Sequence, residues 1–331
     1  MPDARPSATR RRLLAGGAAL LGGLATMPFA APPALATRAP LRVLATTAMI
    51  GDLTRRIGGE RIRLDVLMGE GVDPHLYKPT REDVAKLLAA ELVLFNGLLL
   101  EGKMADAFER VSRAGKPVVP VAEALPAEFL LAPEGAEGSH DPHVWMDPRA
   151  WSRAAGVIAE RLSAVDKEGA AYFAANLAAL QGEIAALDSW AERAIASIPA
   201  QQRVLVTAHD AFSYFSRRYG IEVLGIQGLS TESEAGLRRI QELVGLLAER
   251  RVPAVFVETS VSDRNIRALV EGAAARGHQV AIGGSLFSDA MGAPGTYEGT
   301  YIGMIDHNVT TVVRALGGEA PARGFGGKLT A

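Results

Sequence analysis

Short runs of apolar, often β-branched residues alternate along this chain with stretches whose apolar positions recur every three or four residues. Runs of the first kind suit strands buried on both faces, and the second kind suits amphipathic helices. The pattern therefore predicts α/β units with largely parallel strands. In the first half the predicted strands are Leu41–Thr46, Ile62–Met68, Leu92–Asn96 and Pro117–Val121. In the second they are Arg203–Ala208, Glu222–Ile226, Ala254–Thr259 and Gln279–Ile282. Four and four predict two lobes of similar build, each with a mainly parallel four-stranded sheet flanked by helices, although no clear sequence repeat relates them.

Between the two sets, Gly169–Ile198 carries apolar or small residues at 173, 177, 180, 184, 187, 191, 194 and 198, and Pro199 closes the run. Steps of four and three over 30 residues predict one amphipathic helix of about 45 Å at 1.5 Å per residue. It is read as a rigid helix packed along both lobes; a coiled-coil dimer seam is the competing reading. The expected organisation is a signal peptide over 1–36, an N-terminal lobe over 37–168, the interlobe helix over 169–198 and a C-terminal lobe over 199–331. Two helix starts are marked locally: Thr80-Arg-Glu-Asp83 has the form of a capping box, and Ser230-Thr-Glu-Ser233 is expected to open a helix running to about Arg250.

Composition refines this picture in three ways. The first 36 residues place Arg10-Arg11-Arg12 before an apolar, Gly/Ala-rich stretch and end in Ala34-Leu35-Ala36, which reads as a cleaved export signal of twin-arginine type. The alternative, an uncleaved anchor, is disfavoured by Pro28, Pro32, Pro33 and the glycines. The chain has no cysteine, so the reading is a free periplasmic protein without a thiol-linked lipid or a disulfide. Taking four Arg and one Asp from the 35 basic and 37 acidic residues leaves 31 and 36, a net of −5 with no long basic run, so no nucleic-acid partner is expected.

Histidine is scarce, six in all, yet three stand at loops or strand ends. His75 lies in a turn stiffened by Pro74 and Pro79, His143 between Pro142 and Pro148, and His209 directly after the strand Val204–Ala208. Asp289 follows the last strand through Gly283-Gly284. Ligands of open α/β sheets bind beyond the carboxyl ends of strands, and imidazoles with a carboxylate make a shell for a divalent transition metal. Each residue also has a plainer reading: an exposed loop histidine for His75, a carbonyl-bonding one for His143, packing for His209 and a helix cap for Asp289. Asp141 and Asp147 are candidate acceptors for an imidazole N–H, and Asp210 is expected to cap the helix after His209. His140, His278 and His307 are read as solvated or structurally satisfied.

The segments Asp73-Pro-His-Leu-Tyr-Lys-Pro-Thr80, His143-Val-Trp-Met-Asp-Pro148 and His209-Asp-Ala-Phe-Ser-Tyr-Phe215 resemble the zinc/manganese receptors of ABC importers, a family of ZnuA-type periplasmic proteins. Gly225-Ile-Gln-Gly-Leu-Ser-Thr231 and Gly283-Gly-Ser-Leu-Phe-Ser-Asp-Ala-Met-Gly292 add to the likeness, which is nearest the TroA-like branch and covers about residues 40–316. The resemblance implies two α/β lobes on one long helix, with His75, His143, His209 and Asp289 as the four ligands of Zn²⁺ or Mn²⁺ and a membrane permease as partner. The short Glu134–His140 loop departs from zinc-dedicated members, and His209 departs from manganese-dedicated members, which carry glutamate there.

The function expected is a monomeric periplasmic receptor, without catalytic cofactor, that captures one ion and delivers it to the permease. Its affinity is expected to fall below about pH 6.5 as the histidines protonate. The alternative is a metal-dependent hydrolase. No His-Glu-x-x-His occurs, and the one evident base candidate, Glu258, is read as supporting a ligand from behind. A receptor for an organic solute or chelate should offer more aromatic or arginine side chains. The tail Gly326-Gly-Lys-Leu-Thr330 lacks the upstream glycine and following helix of a phosphate loop.

Overall fold

The computed structural model describes residues 39–133 and 138–330; the expected signal peptide and its cleavage site lie outside the described residues. Strand β1 (Leu41–Thr47) is buried along nearly its whole length, as a central strand covered on both faces must be. It pairs in parallel with β2 (Ile62–Met68) on one side and β3 (Leu92–Phe95) on the other, and β4 (Val118–Pro120) completes the order β2-β1-β3-β4. Helices α1 (Ala48–Gly58), α2 (Arg81–Ala89) and α3 (Ala105–Arg113) make the crossovers. The predicted capping box is present: the Thr80 hydroxyl accepts the Asp83 N–H while the Asp83 carboxylate accepts the Thr80 N–H.

After α4 (Pro148–Val165) comes the long helix α5, Ala170–Ala196. At 27 residues it is about 40 Å long. All eight predicted seam positions lie in the main apolar core or pack against it, so the stripe is used inside this chain, not in a coiled-coil dimer. That core draws on both halves, from Leu41 and Trp151 to Phe212, Leu286 and Tyr301. A second tie is α9 (Tyr301–Ala315), whose first N–H is accepted by Asp52 of α1 while the Tyr301 hydroxyl donates to the carbonyl of Trp145. Residues 39–330 accordingly belong to one compact unit.

In the second half β5 (Val204–Thr207), α6 (Ser213–Tyr219), β6 (Glu222–Gly225), α7 (Leu237–Arg250), β7 (Ala254–Glu258), α8 (Arg264–Ala275) and β8 (Ala281–Leu286) alternate as expected. Its four strands form two hydrogen-bonded parallel pairs, β5-β6 and β7-β8, in place of one four-stranded sheet, with β5 lying alongside β7. At the carboxyl end of this seam the Glu258 side chain, not a ladder carbonyl, accepts the backbone N–H of His209. The last strand begins and ends later than predicted and contains Gly283-Gly284, expected to lie beyond it. A Cβ at Gly283 would come within 2.7 Å of Ala315, and one at Gly284 within 2.5 Å of Thr311, so the pair admits α9 against the strand. Helix α7 starts at Leu237, seven residues past Ser230; the Ser230 hydroxyl accepts the Glu232 N–H in a turn and the Thr231 hydroxyl donates to Asp73, so neither caps the helix.

Candidate metal centre

His75, His209 and Asp289 follow the carboxyl ends of β2, β5 and β8, whereas His143 stands in the loop just before α4; the four side chains converge, each buried, with one donor atom apiece within 4.8 Å of the others. The sequence builds His75 and His143 in the same way. In Asp73-Pro74-His75 the Asp73 Oδ1 accepts the His75 N–H at 2.8 Å; in Asp141-Pro142-His143 the Asp141 Oδ1 accepts the His143 N–H at 2.9 Å. Each is an Asx turn, stiffened by the proline between, that fixes the histidine backbone. The repeated Asp-Pro-His tripeptide was readable in the sequence and is the signal that sequence reasoning missed.

The rings are held from behind. Asp141 Oδ1 also faces His143 Nδ1 at 2.7 Å, and Glu258 Oε2 faces His209 Nδ1 at 2.6 Å. A carboxylate oxygen only accepts, so Nδ1 carries the proton in both rings and Nε2 is turned inward. Asp141 thus plays the part considered for it. Asp147 does not: it caps α4 and pairs with Arg217. Asp210 accepts the Ser213 hydroxyl and gives α6 no N–H cap.

Asp289 is placed by its neighbours, since no helix follows it to cap. Asn308 on α9 grips Phe287, two residues before Asp289, at both N–H and carbonyl, and Trp145 Nε1 donates to the Ser288 carbonyl across the two halves. Asn308 was not foreseen, because its position 19 residues downstream on a helix leaves no local trace. His140, His278 and His307 stand outside the cluster; His278 faces the Val252 carbonyl and His307 the Ser285 carbonyl.

Donors around a tetrahedral ion with bonds of about 2.0–2.1 Å are about 3.3 Å apart. Here His75 Nε2 to His143 Nε2 is 3.3 Å, His143 Nε2 to Asp289 Oδ1 is 3.4 Å, and His209 Nε2 to Asp289 Oδ2 is 3.2 Å. His75 Nε2 to Asp289 Oδ2 is longer, at 3.9 Å. Among the described residues Asp289 ion-pairs only with these histidines, and neither its oxygens nor His209 Nε2 have an aligned hydrogen-bond partner. A buried carboxylate and imidazole left without aligned partners are costly, and a divalent cation at their centre would satisfy all of them.

Protonation is uneven across the cluster. Burial pushes His75 down to about 4. Burial also opposes charge on His209, but the Glu258 and Asp289 carboxylates outweigh it and hold that imidazole well above the ordinary histidine range. Asp289 resists burial likewise: the surrounding histidines, His209 first, hold it below the usual carboxylate range.

If Glu258 orients and polarises His209, Glu258→Gln should lower metal affinity about 10- to 100-fold while the fold survives. Competition with a chromogenic chelator measures it, and an unchanged affinity would show the bond to be idle.

Residues 43–315 match the family described as ZnuA, zinc-uptake complex component A, periplasmic. The chain is 49% identical over 276 residues to the manganese-binding lipoprotein MntA of Bacillus subtilis, spanning 83% of this chain and 90% of that one. It is 46% identical over 291 residues to the zinc-binding protein TroA of Treponema pallidum, spanning 88% and 93%. The solved structure of periplasmic TroA from that organism superposes with a TM-score of 0.81, covering 84% of this chain and 99% of that chain. Fold and relatives define the class, a substrate-binding receptor of α/β build and not an enzyme. Within that class the chain belongs to the ZnuA family.

Proposed function

We propose that this protein is the periplasmic receptor of an ABC importer, and that it binds one Zn²⁺ or Mn²⁺ through His75, His143, His209 and Asp289 before delivering it to the membrane permease. The observation that carries this reading is the convergence of three imidazole nitrogens and one carboxylate, buried and spaced as one small ion requires. Intrinsic affinity of such a shell favours zinc, while supply and geometry decide which metal is carried. The working organisation is a signal peptide over 1–36 cleaved near Ala36, an N-terminal lobe over 37–168, the helix over 169–198 and a C-terminal lobe over 199–331. The receptor acts as a monomer and has no nucleic-acid partner. Among the described residues no helix is long and apolar enough to cross a membrane.

The hydrolase alternative is weakened by Glu258, whose two oxygens are engaged by the N–H and ring of His209 and are not free to take a proton from water. A core shared by both halves supports delivery by small local movement over a wide hinge. Protein purified without added metal should carry one zinc or manganese per chain by elemental analysis. A chain that stays metal-free after incubation with either ion overturns the reading.

A further inference from the structure

The segment Gly225–Thr231 supplies no donor to the cluster, yet the structure gives it a place beside two of them. Its backbone is tied to both neighbours of His209: Gln227 N–H donates to the Ala208 carbonyl, and Asp210 N–H donates to the Gly228 carbonyl. Its last residue reaches into the other half, where the Thr231 hydroxyl donates to Asp73 Oδ2 at 2.6 Å. The second oxygen of that same carboxylate fixes the His75 N–H. One short chain of contacts therefore runs from the loop of His75, through Asp73 and Thr231, to the strand end that bears His209. The next residue, Glu232, pairs with Lys103 of the first half at 2.9 Å, outside this bond. Asp73, Leu76, Gln227, Thr231 and Ser260 line a hollow open to the surface.

Resting on the receptor reading above, we propose that the Asp73–Thr231 hydrogen bond is a clasp across the entrance, and that Thr231 is a positioning residue that sets how fast the ion leaves. Release requires His75 and His209 to part, and the clasp holds their loops in register. Capture is limited by arrival of the ion, so loss of the clasp acts on the off-rate more than on the on-rate. A hydrogen bond to a charged, half-buried carboxylate is worth roughly ten- to a hundredfold in a rate that must break it. The Lys103–Glu232 pair is more exposed, and its removal should change release less than about threefold.

The test is stopped-flow release of Zn²⁺ from the loaded protein into excess chelator, with stoichiometry measured at saturation. Thr231→Val keeps the shape and removes the hydroxyl; it should bind one ion yet release it about ten- to a hundredfold faster, and Thr231→Ser should restore slow release. Equal rates for wild type and Thr231→Val, or a valine variant that binds no ion at saturation while serine does not rescue release, would make Thr231 a brace of the fold and overturn the clasp. Wild-type protein that takes up no ion would overturn the receptor reading and the clasp with it.

Discussion

Replacing either Asp289 or His209 with alanine is expected to abolish stoichiometric metal binding, with an affinity loss above about a hundredfold. Groups that merely orient a ligand cost 10- to 100-fold when removed, so a ligand itself should cost more. The two variants differ in what they leave behind. Asp289→Ala removes the only carboxylate among the four donors, and with it the anionic charge that offsets a divalent cation in a buried site. His209→Ala leaves Glu258 buried without its imidazole partner, so this variant should also lose stability without metal. Thermal unfolding with and without zinc reads both effects. At a free ion concentration of about 100 times the dissociation constant, wild type gains roughly 2.7 kcal/mol, equivalent to a rise of about 5 °C or more for a domain of this size. Neither variant should show that rise. Variants that retained one ion per chain would remove two of the four proposed ligands.

The pH dependence should differ from that of three ordinary histidines. His75 is held down to about 4 and is already neutral at pH 7, and Asp289, held below the usual carboxylate range, is already ionised. Neither has a proton to lose. His209 is the exception: the Glu258–His209–Asp289 row holds a proton well above the ordinary histidine range, with Nδ1 facing Glu258 and Nε2 facing Asp289. Binding must displace the Nε2 proton, because a protonated nitrogen has no lone pair for the metal. The sign follows: lowering the pH favours the protonated row and weakens binding. The slope, about tenfold per pH unit for one proton, should already be present at pH 7 and not begin near 6.5 as the sequence led one to expect. Titration calorimetry in buffers of different ionisation enthalpy should find about one proton released per zinc at pH 7. Release near zero, with affinity flat from pH 8 to 6.5, would show that His209 is neutral before the metal arrives.

Which parts of this protein were legible beforehand follows from which interactions are local. The strands were visible because β1, β3 and β5 are short apolar runs buried on both faces. The seam of α5 was visible because its period is set by helix geometry. The capping box at Thr80 closes within four residues. The start of α7 was misplaced because the Ser/Thr signal at 230–233 serves turn contacts and a partner 158 residues away, and a hydroxyl in sequence does not show which partner it takes. The glycines at 283 and 284 were read as an exit from the strand, whereas the approach of α9 demanded them within it.

The sequence alone determined the alternation of strands and helices, the long amphipathic helix, and the four residue types suited to a divalent ion, because periodicity, proline and donor chemistry are properties of short segments. Tertiary structure decided that those donors share a common centre, that Glu258 sets which nitrogen of His209 faces it, and that two carboxylates flank that ring and favour its protonated form. Those outcomes depend on distances of about 3 Å between groups tens to hundreds of residues apart, and on burial that only the packed chain creates.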